Sequence, residues 1–131
     1  MKIGLSTYSL VGPIESGEMS VLDALEFMKE QGCEQAEIVP IGFDLHKNPE
    51  LIPAIKEKAA ALDLELSCYS IGGDFLDKNE EEWEAELERI KGEIDVAAAL
   101  GCRFIRHDLV AWRSADKTTV AQFDIDLEIL V

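Results

Sequence analysis

Apolar positions along the chain follow two alternating rhythms. Lys2–Tyr8 alternates apolar with small or polar residues, the period of a half-buried strand. Ser20 then opens a run in which Val21, Leu22, Leu25 and Met28 recur at helical spacing, and Gly32 closes it. Gln35–Val39 returns to the strand rhythm. Asn48-Pro49 reads as an N-cap with proline at the first helical position, ahead of a stripe of Leu51, Ile52, Ile55, Ala59 and Leu62. Pro53 falls near the first turn, where a missing N–H costs least. Glu65–Ser70 alternates again. Asn79 caps a long run, Glu80–Leu100, whose Trp83, Leu87, Ile90, Ile94 and Ala97/Ala98 make an apolar stripe that Gly101 ends. Arg103–His107 reads as a fourth strand. A last helix is expected after Thr118 or Gln122, carrying Ile125, Ile129 and Leu130.

Four strands alternating with helices predict a parallel sheet with right-handed crossovers. A faint internal echo supports a repeated unit: Met28–Ile38 and Ala97–His107 both run from a helix end through Gly-Cys into a strand. The helix-to-strand turns are tight, at Gly32–Glu34, Asp63-Leu64 and Gly101-Cys102. The strand-to-helix loops are long, at Ser9–Met19, Pro40–Lys47, Ile71–Lys78 and Leu109–Thr118. That asymmetry puts any site at the carboxyl ends of the strands.

Two architectures share this order, a (β/α)8 barrel and a flavodoxin-like open sheet. An open sheet is covered on both faces, so its strands read as continuous apolar runs. Here one face is apolar and the other mixed. Ile3 and Leu5 alternate with Gly4 and Ser6, and Ala36 and Ile38 with Glu37. Leu64, Leu66 and Cys68 alternate with Glu65, Ser67 and Tyr69. The pattern favours an α/β fold that is a partial (β/α)8 TIM barrel of about four βα units, a half-barrel with helices on its outer face. In the fourth strand either Phe104 and Arg106 or Ile105 and His107 face inward. A full barrel takes roughly 250 residues. The 131 residues are therefore expected to form one domain, the amino-terminal half of such a barrel, truncated in its last helix.

Composition narrows the function classes. With 12 basic and 27 acidic side chains the formal net charge is −15, and 47% of residues are hydrophobic. Such a surface disfavours nucleic acid and acidic membranes as partners, and the apolar fraction argues against disorder. No apolar run is long enough for a transmembrane helix, and the opening segment does not read as a signal peptide. Cys33, Cys68 and Cys102 show neither CxxC nor metal-site spacing; they read as small packed residues of a reduced, cytoplasmic protein. There is no GxGxxG or GxxxxGK[ST], and Gly72-Gly73 reads as a plain turn.

Three stretches, Lys2–Leu10, Leu25–Val39 with its strand glutamate Glu37, and Ile90–Arg106 with its Leu-Gly turn and strand arginine, together resemble the amino-terminal half of the sugar phosphate isomerase/epimerase family, the xylose isomerase-like TIM barrels. The resemblance implies a divalent-metal enzyme, commonly with Mn²⁺ or Mg²⁺, that moves a proton next to a carbonyl of a sugar or sugar phosphate. It also implies that the main metal and proton-transfer carboxylates belong to strands five to eight, beyond Val131. This stretch alone is then expected to be inactive and to hold no metal of its own. The alternative is a non-catalytic half-barrel that binds or dimerises. In either case the partner is the missing second half-barrel or another copy of the chain.

Tyr8, Glu37, Tyr69, Arg106 and Trp112 are the candidate substrate-binding residues, all at strand ends or in the long loops. Glu37 suits a sugar hydroxyl; its structural alternative is an ion pair with Arg106 or Lys2. Arg106 suits a phosphate or an enediolate. Tyr8 and Tyr69 equally suit core packing, and Trp112 equally suits burial against the missing half. His107, followed by Asp108, is the one weak metal candidate. His46 beside Asp44 reads as solvent-facing, and the Glu80–Glu88 run as a solvated helix face favoured at the positive end of the helix dipole.

Overall fold

The computed structural model describes residues 1–76 and 78–110. Over that span one parallel sheet comprises β1 (Gly4–Ser6), β2 (Gln35–Ile38), β3 (Glu65–Ile71) and β4 (Phe104–His107), paired in chain order. A 3₁₀ turn (Thr7–Leu10) and a short helix α1 (Val11–Ser16) follow β1. Helices α2 (Val21–Glu30), α3 (Leu51–Ala61) and α4 (Glu80–Leu100) make the crossovers.

Strand order decides between the two architectures. A doubly wound sheet reverses its order so that helices cover both faces. Right-handed crossovers in unreversed order place every helix on one side. Helix α2 packs on α3 and α3 on α4, and together they bury the apolar side of the sheet. The described residues thus form a four-stranded sector of a β/α barrel.

Its core lies between sheet and helices, around Leu25, Met28, Ile38, Ile55 and Leu100, each almost inaccessible. Burying such a side chain stabilises the fold by about 1.5–3 kcal/mol. Local chemistry fixes the helix ends. Ser20 with Asp23, and Asn79 with Glu82, form reciprocal capping boxes. Gly101 closes α4 at φ 80°, a conformation that suits glycine.

Several local expectations need correction. Strand β1 is shorter than Lys2–Tyr8, because Thr7 leaves the sheet. Its Oγ1 donates to the Val39 carbonyl at 2.9 Å and accepts from the Val39 N–H at 2.8 Å. The segment after it is helical rather than loop; Ile14 buries and Gly17 ends the helix at φ 77°. Asn48 does not cap α3. Its side-chain amide donates back to the Asp44 carbonyl, and the helix starts two residues later than Pro49. The stripe on α4 is also rotated. Glu93 and Val96 are buried beside Ile90, Ala97 and Leu100, whereas Trp83 and Ile94 are about half exposed. Expected features beyond residue 110, the last helix and Trp112, lie outside the described residues.

Candidate functional site

The inner face of the sheet is set by register. Ser6 lies opposite Glu37, Glu37 opposite Cys68, and Ser70 opposite Arg106. Between the pairs Ala36–Leu66 and Glu37–Cys68 the register slips, leaving Ser67 as an extra residue on β3. Such a bulge reverses the alternation beyond it. The Ser67 hydroxyl donates to the Ala36 carbonyl at 3.1 Å. Cys68 and Ser70 then share a face with Glu37, and Tyr69 turns toward the helices. Simple alternation had put Cys68 on the apolar face and Tyr69 on the polar one.

Glu37 is the centre of this face. The Ser70 hydroxyl donates to its Oε1 at 2.5 Å. Burial raises its carboxyl pKa, but hydrogen bonds from Ser70 and Ser6 and the charge of Arg106 outweigh burial and hold it below the ordinary carboxylate range. The expected partners of Glu37 are taken elsewhere: Lys2 pairs with Glu65, and the Arg106 guanidinium donates to Asp108 Oδ1 at 2.8 Å. Beside Glu37 opens a cleft of about 390 Å³ walled by Ser6, Tyr8, Arg106 and Asp108 at the carboxyl ends of the strands. Tyr8 is 60% exposed there.

The fourth-strand ambiguity resolves by register in favour of Phe104 and Arg106 inward. His107 lies opposite Ile71 on the helix side. Its ring meets Phe75 edge-on at 6.2 Å, and its Nδ1 sits 3.1 Å from the Asp108 carbonyl. It does not line the cleft with Glu37. Among the described residues no three His, Cys, Asp or Glu side chains converge on a point where a metal would sit. The described residues therefore do not fit the divalent ion that the resemblance implies.

Behind the sheet lies a second polar group, which the hydrophobic pattern missed because its central residue, Glu93, occupies the buried stripe of α4. The Tyr69 hydroxyl donates to Glu93 Oε2 at 2.7 Å, and His46 Nε2 lies 3.2 Å from Glu93 Oε1. His46 therefore abuts a buried carboxylate, although its ring is half exposed. Arg89 reaches Glu93 at 3.6 Å, clasps both oxygens of Glu86 and donates to the Gly72 carbonyl at 2.7 Å. Burial and the Glu93 hydrogen bond push the Tyr69 phenol well above its ordinary pKa, so it remains a donor. This network ties the loop after β3 to α4. Tyr69 is thereby a structural member and not part of the inner cleft. Tyr69→Phe should leave the fold intact but remove about 1–2 kcal/mol, because Glu93 loses a donor in a buried setting. A urea titration read by circular dichroism measures it; an unchanged midpoint would mean that the bond contributes nothing net.

The thiols behave as packed residues. Cys33 is buried, and burial pushes the Cys102 thiol up to about 11, so it is not a nucleophile at neutral pH. Cys68 lies on the inner face, with its Sγ 3.5 Å from Ser70 Oγ.

An unreversed parallel sheet, helices on one face and a polar cluster at the carboxyl ends of the strands together describe part of a β/α barrel. Residues 25–124, about three-quarters of the chain, match the profile of the xylose isomerase-like TIM barrel family. The chain belongs to that family. No curated protein matches it significantly. In this family frame the long strand-to-helix loops and Glu37 stand at the barrel mouth, the end where barrel enzymes hold their substrates. Among the described residues no helix is long and apolar enough to cross a membrane.

Proposed function

We propose that this chain supplies a substrate-cradling part of a metal-dependent sugar or sugar phosphate isomerase/epimerase, the class that moves a proton beside a carbonyl. The observation that carries the reading is the Glu37 carboxylate, fixed by Ser70 and Ser6 on the inner face and open to a cleft that Arg106 also lines. A carboxylate anchored by two hydroxyl donors keeps lone pairs for further donors, and the hydroxyl-rich rim of a sugar provides them.

Its depressed pKa suits binding better than proton transfer. A general base works best with a pKa near the working pH, and Glu37 is held on the far side of that range. Glu37 is thus a hydroxyl acceptor that orients substrate. The bound divalent metal of the class would polarise the carbonyl. Tyr8, exposed at the rim, offers an apolar ring to the C–H face of a sugar.

Titration of the isotope-labelled chain with D-glucitol, followed by heteronuclear NMR, tests the reading. The amides of Ser6, Glu37, Ser70 and Arg106 should shift together, and Glu37→Gln should weaken binding about tenfold, the worth of one charge-assisted hydrogen bond. Shifts confined to other surfaces, or an unaffected Glu37→Gln variant, would remove the basis for it.

A further inference from the structure

We infer that the inner cleft selects uncharged polyhydroxy ligands over their phosphate esters. This rests on the sugar-binding reading above and narrows it to one substrate class. Three charged side chains line the cleft among the described residues: Glu37, Asp108 and Arg106. Two are anions and one is a cation, so this described lining carries one net negative charge.

The one cation among the described lining residues is also engaged. The Arg106 guanidinium donates to Asp108 Oδ1 at 2.8 Å, and its charge acts on Glu37 as well. A phosphate ester entering here would have to displace Asp108 from Arg106 and leave that carboxylate facing a dianion. Arginine recognises phosphate through paired N–H donors, and here part of that fork is already used. The far field points the same way, since the whole chain carries −15. The neutral hydroxyls of a polyol meet neither obstacle. They find the Glu37 carboxylate as acceptor, and the Ser6 and Ser70 hydroxyls hold that carboxylate in place.

Asp108 is accordingly a specificity residue, placed by the backbone. Its N–H donates to the Ile71 carbonyl at 3.3 Å, and its own carbonyl packs against Gly73, so its side chain projects beside Arg106 from a fixed point. Removing its charge makes the lining neutral and frees the guanidinium.

The test uses the intact chain and three probes: D-glucitol, D-glucitol 6-phosphate and inorganic phosphate, each titrated by heteronuclear NMR at low and at physiological salt. D-glucitol should bind about tenfold more tightly than its ester at low salt, and inorganic phosphate should leave the Arg106 amide unmoved. Added salt should strengthen ester binding, because it screens a repulsion. Asp108→Asn, nearly the same in shape, should raise the affinity for the ester relative to D-glucitol about tenfold.

An ester that binds as tightly as D-glucitol, or that weakens with salt, overturns the inference and leaves the sugar-binding reading standing. So does an Asp108→Asn variant with an unchanged preference. If no probe shifts the inner-face amides, the sugar-binding reading itself fails. The salt series on the unmodified chain separates these outcomes even if the variant folds poorly.

Discussion

Replacing Gly73 with alanine should destabilise the protein by about 3 kcal/mol, near the top of the range for overpacking a closed site. A Cβ at this position would lie 2.1 Å from the backbone carbonyl oxygen of Asp108. The obstacle is main chain, so it has no side-chain torsion with which to move away. It is held on both sides: the Asp108 N–H donates to Ile71, and the Leu109 carbonyl accepts from the Phe75 N–H at 2.9 Å. Relief requires the loop after β3 to part from the end of β4. That motion would also part Asp108 from Arg106. The neighbouring glycine is the control. Nothing lies within 4 Å of a Cβ at Gly72, so Gly72→Ala should stay within about 0.5 kcal/mol of the parent. Urea midpoints of the two variants decide the matter. Equal midpoints would mean that the close approach at Gly73 relaxes freely.

The second large effect is an acid-sensitive clamp. The Arg89 guanidinium bonds both oxygens of Glu86 and, against the effect of burial and with help from the Asp74 N–H, holds its carboxyl down to about 2, compared with an ordinary 4.5. A folded-state pKa below the unfolded one stabilises the protein above the unfolded value. The gain is lost as the pH falls through the folded value. Between pH 4.5 and about 2 the protein should therefore lose up to about 3 kcal/mol from this group. Glu86 is 14% exposed but its partner Arg89 is 42% exposed, so solvent screening brings the figure down to about 2 kcal/mol. Hydrogen bonds and neighbouring positive charges also hold Asp23, Asp44 and Glu65 below the ordinary carboxylate range. The diagnostic quantity is thus the difference between parent and Glu86→Gln. That difference should be about 2 kcal/mol at neutral pH and vanish near pH 2. A constant difference across the range would show that Glu86 acts by packing and not by charge.

Both effects bear on the loop that follows β3, where the sequence shows only a plain turn at Gly72-Gly73. The turn is there, but it is fixed from two sides. Arg89 holds the Gly72 carbonyl from α4, and β4 closes on Gly73. Neither partner is near in sequence. An arginine in an acidic helix and a glycine in a loop carry no local sign of meeting.

The same division runs through the rest of the chain. Ser20, Asn79 and Gly101 act as their local sequence predicts, because a cap is decided by a few neighbouring residues. Asn48 carries an equally good local sign and fails, because the Asp44 carbonyl competes for its side chain. Glu37 was legible as a polar residue alternating with the apolar Ala36 and Ile38. Its ligands were not, since Ser70 reaches it only through the slip at Ser67. On α4 the apolar pattern favoured Ile94, yet Glu93 is the buried residue, because Tyr69 and His46 satisfy its carboxylate from other elements.

The sequence by itself determined the alternation of strands and helices, the parallel sense of the sheet and the helix boundaries that capping residues mark. These depend on periodicity and on hydrogen bonds that span only a few residues. Tertiary structure decided which side of β3 each residue faces, how α4 is rotated and what Glu37 and Arg106 touch. One extra residue in a strand reverses every later side chain, and a buried charge is tolerated only where distant groups bond it. Both are properties of strand register and packing between elements, and no local window of the chain contains them.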